Sequence, residues 1–389
     1  MKKKRLMTPG PTQVPEESLL MLARQVTHHR TPAFEALFQR TTGFLQILLR
    51  TNGDIFFIAG SGTAGMETAL MNCAAPGETI LVLASGKFSE RWEEMGKAFG
   101  RKIISYFVPW GETFLPEKVA EYLRLNPEIT AVFGTLAETS TGVCHDIEGI
   151  GRAVRENSDS LFVVDGISGI GADRFEMDRW GVDLAVVGSQ KALMGISGGA
   201  IVAVGTRVWS KIEKNPRRGF YFDLLKYRKS AASRTTPFTP AKPILEGLAV
   251  NLEAMAEEGI ETIWQRTSRL AEAVRAGIDA LGLKRTTSFP ANSMTAVFFP
   301  ERAVFDSKRF MTEMEERFGV KFAGGQGEWK GKIFRMAHFG IIDEFDIFGT
   351  LAAIEMALTD AGYPVEYGTG VSAAMKILKT GIDEKGNIQ

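Results

Sequence analysis

Between Asn52 and Val204 the chain alternates short apolar runs with longer amphipathic stretches, and this rhythm restricts it to very few folds. The runs are Ile55–Ala59, Ile80–Ala84, Ile103–Val108, Ala131–Thr135, Leu161–Asp165, Leu184–Gly188 and Ala200–Val204. Helix-period segments separate several of them: Met66–Asn72, Glu90–Phe99, Pro116–Leu125 and Ile147–Glu156. Strands that are nearly continuous in apolar character belong to a sheet covered on both faces, so the order predicts an α/β domain with a mainly parallel seven-stranded sheet. Only Ser189 to Gly199 joins the last two strands, too short for a helical crossover, which predicts an antiparallel pair there. Beyond Pro243 a long helical stretch, Ile244–Leu281, breaks near Gly259. A strand at Met294–Phe299, a helix at Ser307–Phe318, a strand at Ile333–Ala337 and a helix at Glu344–Leu358 complete an α+β lobe. The expected division is residues 16–243 as the large domain and 244–389 as the small one, joined by residues 1–15.

Composition narrows the function class. The 46 Lys and Arg balance 46 Asp and Glu, which removes the global attraction that nucleic-acid binders use. The segment Arg217 to Arg234 mixes cations with Phe220, Tyr221, Phe222 and Tyr227, and reads as a solvated connection or a subunit contact. The two cysteines, Cys73 and Cys144, and the four histidines, His28, His29, His145 and His338, show no metal-ligand spacing, so no metal is expected. The apolar runs fall short of the ~20 residues that cross a bilayer, so no membrane is expected. Thr8-Pro-Gly-Pro-Thr12 follows the basic Lys2 to Arg5 where a signal peptide would place its apolar region, so the expected location is the cytoplasm.

The chemistry is concentrated in Phe162-Val-Val-Asp165-Gly and, 26 positions after the Asp, Ser189-Gln190-Lys191. Both residues fall at strand ends, and the carboxyl ends of parallel strands share one rim where ligands bind. Singly, an Asp before Gly is a turn residue and a Lys is a surface charge. Together they are what holds pyridoxal 5′-phosphate: an amine for the Schiff base and a carboxylate that keeps the pyridine nitrogen protonated. Gly60-Ser61-Gly62-Thr63 follows the first strand and opens a helix, whose positive end suits a phosphate. Alone, that segment reads first as an ordinary glycine-rich turn capped by Ser or Thr.

Across nearly its whole length the chain resembles class V aminotransferases of fold type I, in the alanine–glyoxylate, serine–glyoxylate and serine–pyruvate group. The matching motifs are Thr8-Pro-Gly10-Pro, Gly60-Ser-Gly-Thr63, Gly86-Lys-Phe88-Ser-Glu-Arg91-Trp, Glu138-Thr139-Ser-Thr-Gly142, Asp165, Ser189-Gln190-Lys191, Thr236-Pro237 and Phe334-Arg335. The resemblance implies that Lys191 carries the cofactor and Asp165 pairs with its ring nitrogen. Ser61, Gly62, Thr63 and Gln190 would contact the phosphate, Phe88 would stack on the ring, and Thr139 would lie near the phenolic oxygen. Ser233 and Thr236 would reach the cofactor of the partner subunit in a homodimer. Arg335 would grip the substrate carboxylate with Gly10 close by. The implied activity moves the amino group of a small amino acid, alanine or serine, to a small 2-oxo acid, glyoxylate or pyruvate. Lys191 would serve as anchor and base, its pKa lowered by the cationic ring. The rivals are a cysteine desulfurase or related lyase, which needs a nucleophilic cysteine, and a non-catalytic subunit of the same fold.

Overall fold

The computed structural model describes residues 3–215 and 219–379. Lys2, Arg217, Arg218 and residues 380–389 of the expected small domain lie outside them. The strands in chain order are β1 (Arg5–Leu6), β2 (Asp54–Ala59), β3 (Thr79–Ala84), β4 (Lys102–Phe107), β5 (Ile129–Thr135), β6 (Ala137–Glu138), β7 (Val143–Cys144), β8 (Leu161–Asp165), β9 (Leu184–Gly188), β10 (Gly199–Val204), β11 (Met294–Phe298), β12 (Val320–Lys321), β13 (Ala323–Gly324) and β14 (Ile333–Ala337). The helices are α1 (Glu16–Leu22), α2 (Pro32–Leu49), α3 (Gly62–Cys73), α4 (Glu90–Ala98), α5 (Pro116–Leu125), α6 (Ile147–Asn157), α7 (Thr206–Lys214), α8 (Leu224–Ala231), α9 (Lys242–Glu258), α10 (Ile260–Ala280), α11 (Ser307–Thr312), α12 (Glu344–Asp360) and α13 (Thr369–Lys379).

Seven strands form the main sheet in the order β2-β10-β9-β8-β5-β3-β4. β9, β8, β5, β3 and β4 run parallel, and β10 is antiparallel to both its neighbours, as the short link after Lys191 requires. Because β10 is reversed, β2 beyond it points the same way as β9. The carboxyl ends of β2, β3, β5, β8 and β9 therefore share one rim. Each of the six side chains of β3 is buried, whereas β4 at the edge has exposed Lys102 and Phe107. Burying such Val and Leu side chains contributes about 1.5–3 kcal/mol apiece.

The C-terminal lobe builds its three-stranded sheet, β11-β14-β13, against α10, α12 and α13, with Leu270, Val274, Phe334, Ile347 and Leu351 in its core. The helices that follow Pro243 also serve the larger core. Leu248, Leu252 and Met255 of α9, and Ile260 and Ile263 of α10, join the core of the main sheet. Packing thus hands over to the smaller core within α10, about one helix later than the change in sequence texture. Residues 5–12 bind both parts. β1 pairs in parallel with β12, Ala337 N–H donates to Met7 O (2.8 Å), and Thr12 N–H donates to Gln190 O (3.1 Å).

Candidate active site

Five strand ends deliver the expected residues to one place. Ser61, Gly62 and Thr63 follow β2, Phe88 follows β3, Thr139 follows β5, Asp165 ends β8, and Gln190 and Lys191 follow β9. All eight line one cavity, together with Arg91, Ala137, Ile167 and Ser168. Arg335 enters from the other lobe on β14 and reaches the carbonyl of Thr139.

Lys191 lies half-buried at the cavity wall, where Nζ donates to Pro9 O (2.9 Å). Burial, opposed by Asp165 and aided by Arg335 and Arg91, lowers its pKa to about 8. The expected cause was the cationic ring; desolvation by the protein already depresses it. Gly10 has φ +134°, and a Cβ placed there would stand 2.2 Å from Lys191 Nζ, so only glycine lets residues 9–11 lie across the amine.

Asp165 is 5% exposed, and Oδ1 accepts from Ile167 N–H (2.9 Å). Burial raises its carboxyl to about 6, with the Ile167 bond, Arg91 and Lys191 pulling the other way. Behind it lies a different carboxylate. Glu138, fully buried, accepts from Phe88 N–H (3.3 Å), Ser140 N–H (3.1 Å) and Ser140 Oγ (2.6 Å) at Oε1, and from Ser89 N–H (2.8 Å) at Oε2. It fixes the Phe88 loop to the Thr139 loop, a role that the sequence reading had not assigned.

The start of α3 is open to an anion. Its first residues are held by Ala64 N–H to Ser61 O (2.8 Å), and the Ser61 hydroxyl makes no capping bond. Gly65 sets the helix tight on the sheet, where a Cβ would meet Val186 Cγ1 at 2.6 Å. Gln190 Oε1 is buried without a partner among the described residues. Arg335, also buried, spends Nε (2.9 Å) and one N–H of Nη2 (2.7 Å) on Gly324 O, and one N–H of Nη1 (2.5 Å) on Thr139 O. One N–H remains on each terminal nitrogen, the fork that binds a carboxylate in two places.

Ser233 and Thr236 lie away from this cavity within a single chain. Ser233 is exposed, while Thr236 is 4% exposed and donates its hydroxyl to Phe238 O (2.7 Å). Among the described residues neither cysteine lines the cavity, and burial pushes both thiols up. His145 and His338 are buried with pKa lowered to about 3 by desolvation, hence neutral. His28 and His29 lie outside the cavity with their rings tilted against each other, 4.7 Å between centres. Among the described residues no helix is long and apolar enough to cross a membrane.

The sequence model of the family described as "Aminotransferase class-V" matches residues 18–327. A protein of Anabaena cylindrica named soluble hydrogenase 42 kDa subunit is 37% identical over 96% of this chain and 98% of its own length. The L-aspartate–glyoxylate aminotransferase of Paracoccus denitrificans is 34% identical over 95% of each chain. The crystal structure of pyridoxamine–pyruvate aminotransferase from Mesorhizobium loti superposes with a TM-score of 0.92 at 28% identity, covering 98% of both chains. The rim of strand ends, its lysine and aspartate, and this match along the chain lead to one conclusion: the chain belongs to the class-V aminotransferase family, with the fold type I architecture.

Proposed function

We propose that the chain binds pyridoxal 5′-phosphate in the rim cavity and transfers the amino group of a small amino acid, alanine or serine, to glyoxylate or pyruvate by double displacement. The observation that carries the reading is the joint exposure of the Lys191 amine and the Asp165 carboxyl to one cavity that also holds the open start of α3. The residues fit the cofactor: Phe88 and Ile167 offer apolar faces, Gln190 and Ser61 have polar atoms unspent, and Thr139 lines the same wall. Ser61, Gly62, Thr63 and Gln190 would hold its phosphate, and Lys191 would hold it covalently.

When bound, the cofactor supplies a protonated aromatic ring that accepts the electron pair left at the substrate Cα. Asp165 keeps the proton on the ring nitrogen, since a buried carboxyl poised near 6 ionises readily beside a cation. Lys191, depressed to about 8, takes the Cα proton at Nζ and returns it near neutral pH, with Pro9 O as the acceptor that orients it. The two remaining N–H groups of Arg335 hold the substrate carboxylate, and Gly10 keeps the approach open. Both the large and the small lobe are then needed for a turnover.

We place the working form as a cytoplasmic homodimer. Exposed Leu19, Leu20, Leu22 and Val26 support a partner surface, and Ser233 and Thr236 would complete the partner's site.

The test loads the purified protein with pyridoxal 5′-phosphate and adds alanine, serine, aspartate or cysteine singly, recording the cofactor spectrum and the released acid. Alanine or serine should convert the spectrum in one turnover with release of pyruvate or hydroxypyruvate. Sulfide release from cysteine would support a desulfurase, and an unchanged spectrum with all four would support a non-catalytic subunit.

A further inference from the structure

Arg91 is the second residue of α4, where a helix presents its positive end and an acidic side chain is favoured. Its Nη1 donates to Thr63 Oγ1 (3.0 Å) in the first turn of α3, so the guanidinium also stands at the positive end of a second helix. The acids of its own helix are engaged elsewhere. Glu90 faces Lys87 (3.6 Å) and Trp110 Nε1 (3.3 Å), Glu94 faces Lys87 (3.1 Å), and Glu93 binds Lys97 and Ser105 Oγ (2.9 Å). Among the described residues Arg91 forms no ion pair, although it is only partly exposed and lines the cavity. A cation, the start of α3 and a Ser61 hydroxyl that makes no capping bond therefore meet on one side of the cavity. Such an arrangement is unfavourable until an anion neutralises it.

We propose that Arg91 is the cationic ligand of the cofactor's phosphate, gripping it beside Thr63 while its guanidinium plane rests over Phe88, 5.2 Å from the ring centre. This rests on the cofactor reading above and adds to it a residue that the motif match left without a role. The placement beside Thr63 and the start of α3 favours phosphate over a side-chain carboxylate of the substrate, because the substrate's own anchor, Arg335, reaches the site through Thr139.

The experiment strips the full-length protein of cofactor and measures binding of pyridoxal 5′-phosphate and of pyridoxal, which lacks the phosphate, by tryptophan fluorescence, with inorganic phosphate as a competitor. Arg91→Gln should weaken the phosphorylated compound about 10- to 100-fold and pyridoxal less than about 2-fold, and should blunt competition by inorganic phosphate. Arg91→Lys, which keeps the charge without the fork, should recover part of the loss and serves if the glutamine variant does not fold. Equal losses for both compounds, or no loss, overturn the proposal while leaving the cofactor reading intact. A raised KM for aspartate with unchanged phosphate-ester affinity also overturns it, since the guanidinium would then face the substrate. Wild-type protein that takes up neither compound overturns the cofactor reading itself.

Discussion

Asp165 and Glu138 are both buried carboxylates at the same rim, one strand apart, yet they do opposite work. Glu138 has four donors, all from neighbouring loops. Asp165 has one backbone donor and faces a cavity. A carboxylate whose lone pairs are filled by its own chain is part of the frame; one left half-satisfied, with its pKa raised, is a free energy cost that only a ligand relieves. Lys191 and Arg91 belong with Asp165 in this respect, and each tests the contrast.

The largest effect expected is that of Lys191→Ala, which should lower kcat by at least about 1,000-fold and abolish borohydride-reducible attachment of the cofactor, without loss of the folded state by circular dichroism. Attachment that persists would place the reactive amine on another lysine.

The two carboxylates should then separate in stability. Above pH 6 the raised pKa of Asp165 means that the folded state carries an ionised group it disfavours, so this cost is absent below about pH 4 and grows as pH rises toward 6. In cofactor-free protein at pH 7.5, Asp165→Asn should raise stability by about 1–2 kcal/mol, the lost attraction to Lys191 being set against the relief. Activity should nonetheless fall by about 100-fold or more. Glu138→Gln should do the reverse to stability, lowering it by about 2–4 kcal/mol, because an amide nitrogen then faces an N–H donor. Urea midpoints for both variants at pH 5 and pH 7.5 decide it; a shift of the same sign for both would erase the distinction.

The smallest effect concerns rate. Capture of an aldehyde needs the neutral amine, so covalent loading by Lys191 should accelerate about tenfold per pH unit and level off above about pH 8. A plateau reached only near pH 10 would mean that burial does not depress this lysine.

Strand positions were legible because interior strands leave unbroken apolar runs: Leu161–Asp165 and Leu184–Gly188 coincide in reading and structure. That also located Lys191 and Asp165, which sit at the ends of such runs. α2 lies outside the expected elements, although Thr31-Pro32 and the spacing of Phe34, Phe38, Thr41, Leu45 and Leu48 carry its signal. Arg91 and Glu138 lie inside the matching motifs without an implied role, because each depends on one loop meeting another across the rim. No spacing encodes that approach. The packing of α9 has a related cause: its sequence has the texture of the C-terminal helices, and only tertiary packing assigns its Leu248, Leu252 and Met255 to the larger core.

Residues 5–12 are anchored to the smaller lobe at β12 and carry the Pro9 carbonyl that accepts from Lys191. Anything fused ahead of Arg5, such as an affinity handle used in purification, is thus tethered by a few peptide units to the Lys191 amine. Preparations that differ only in that leader should be compared before any rate is assigned to the enzyme itself.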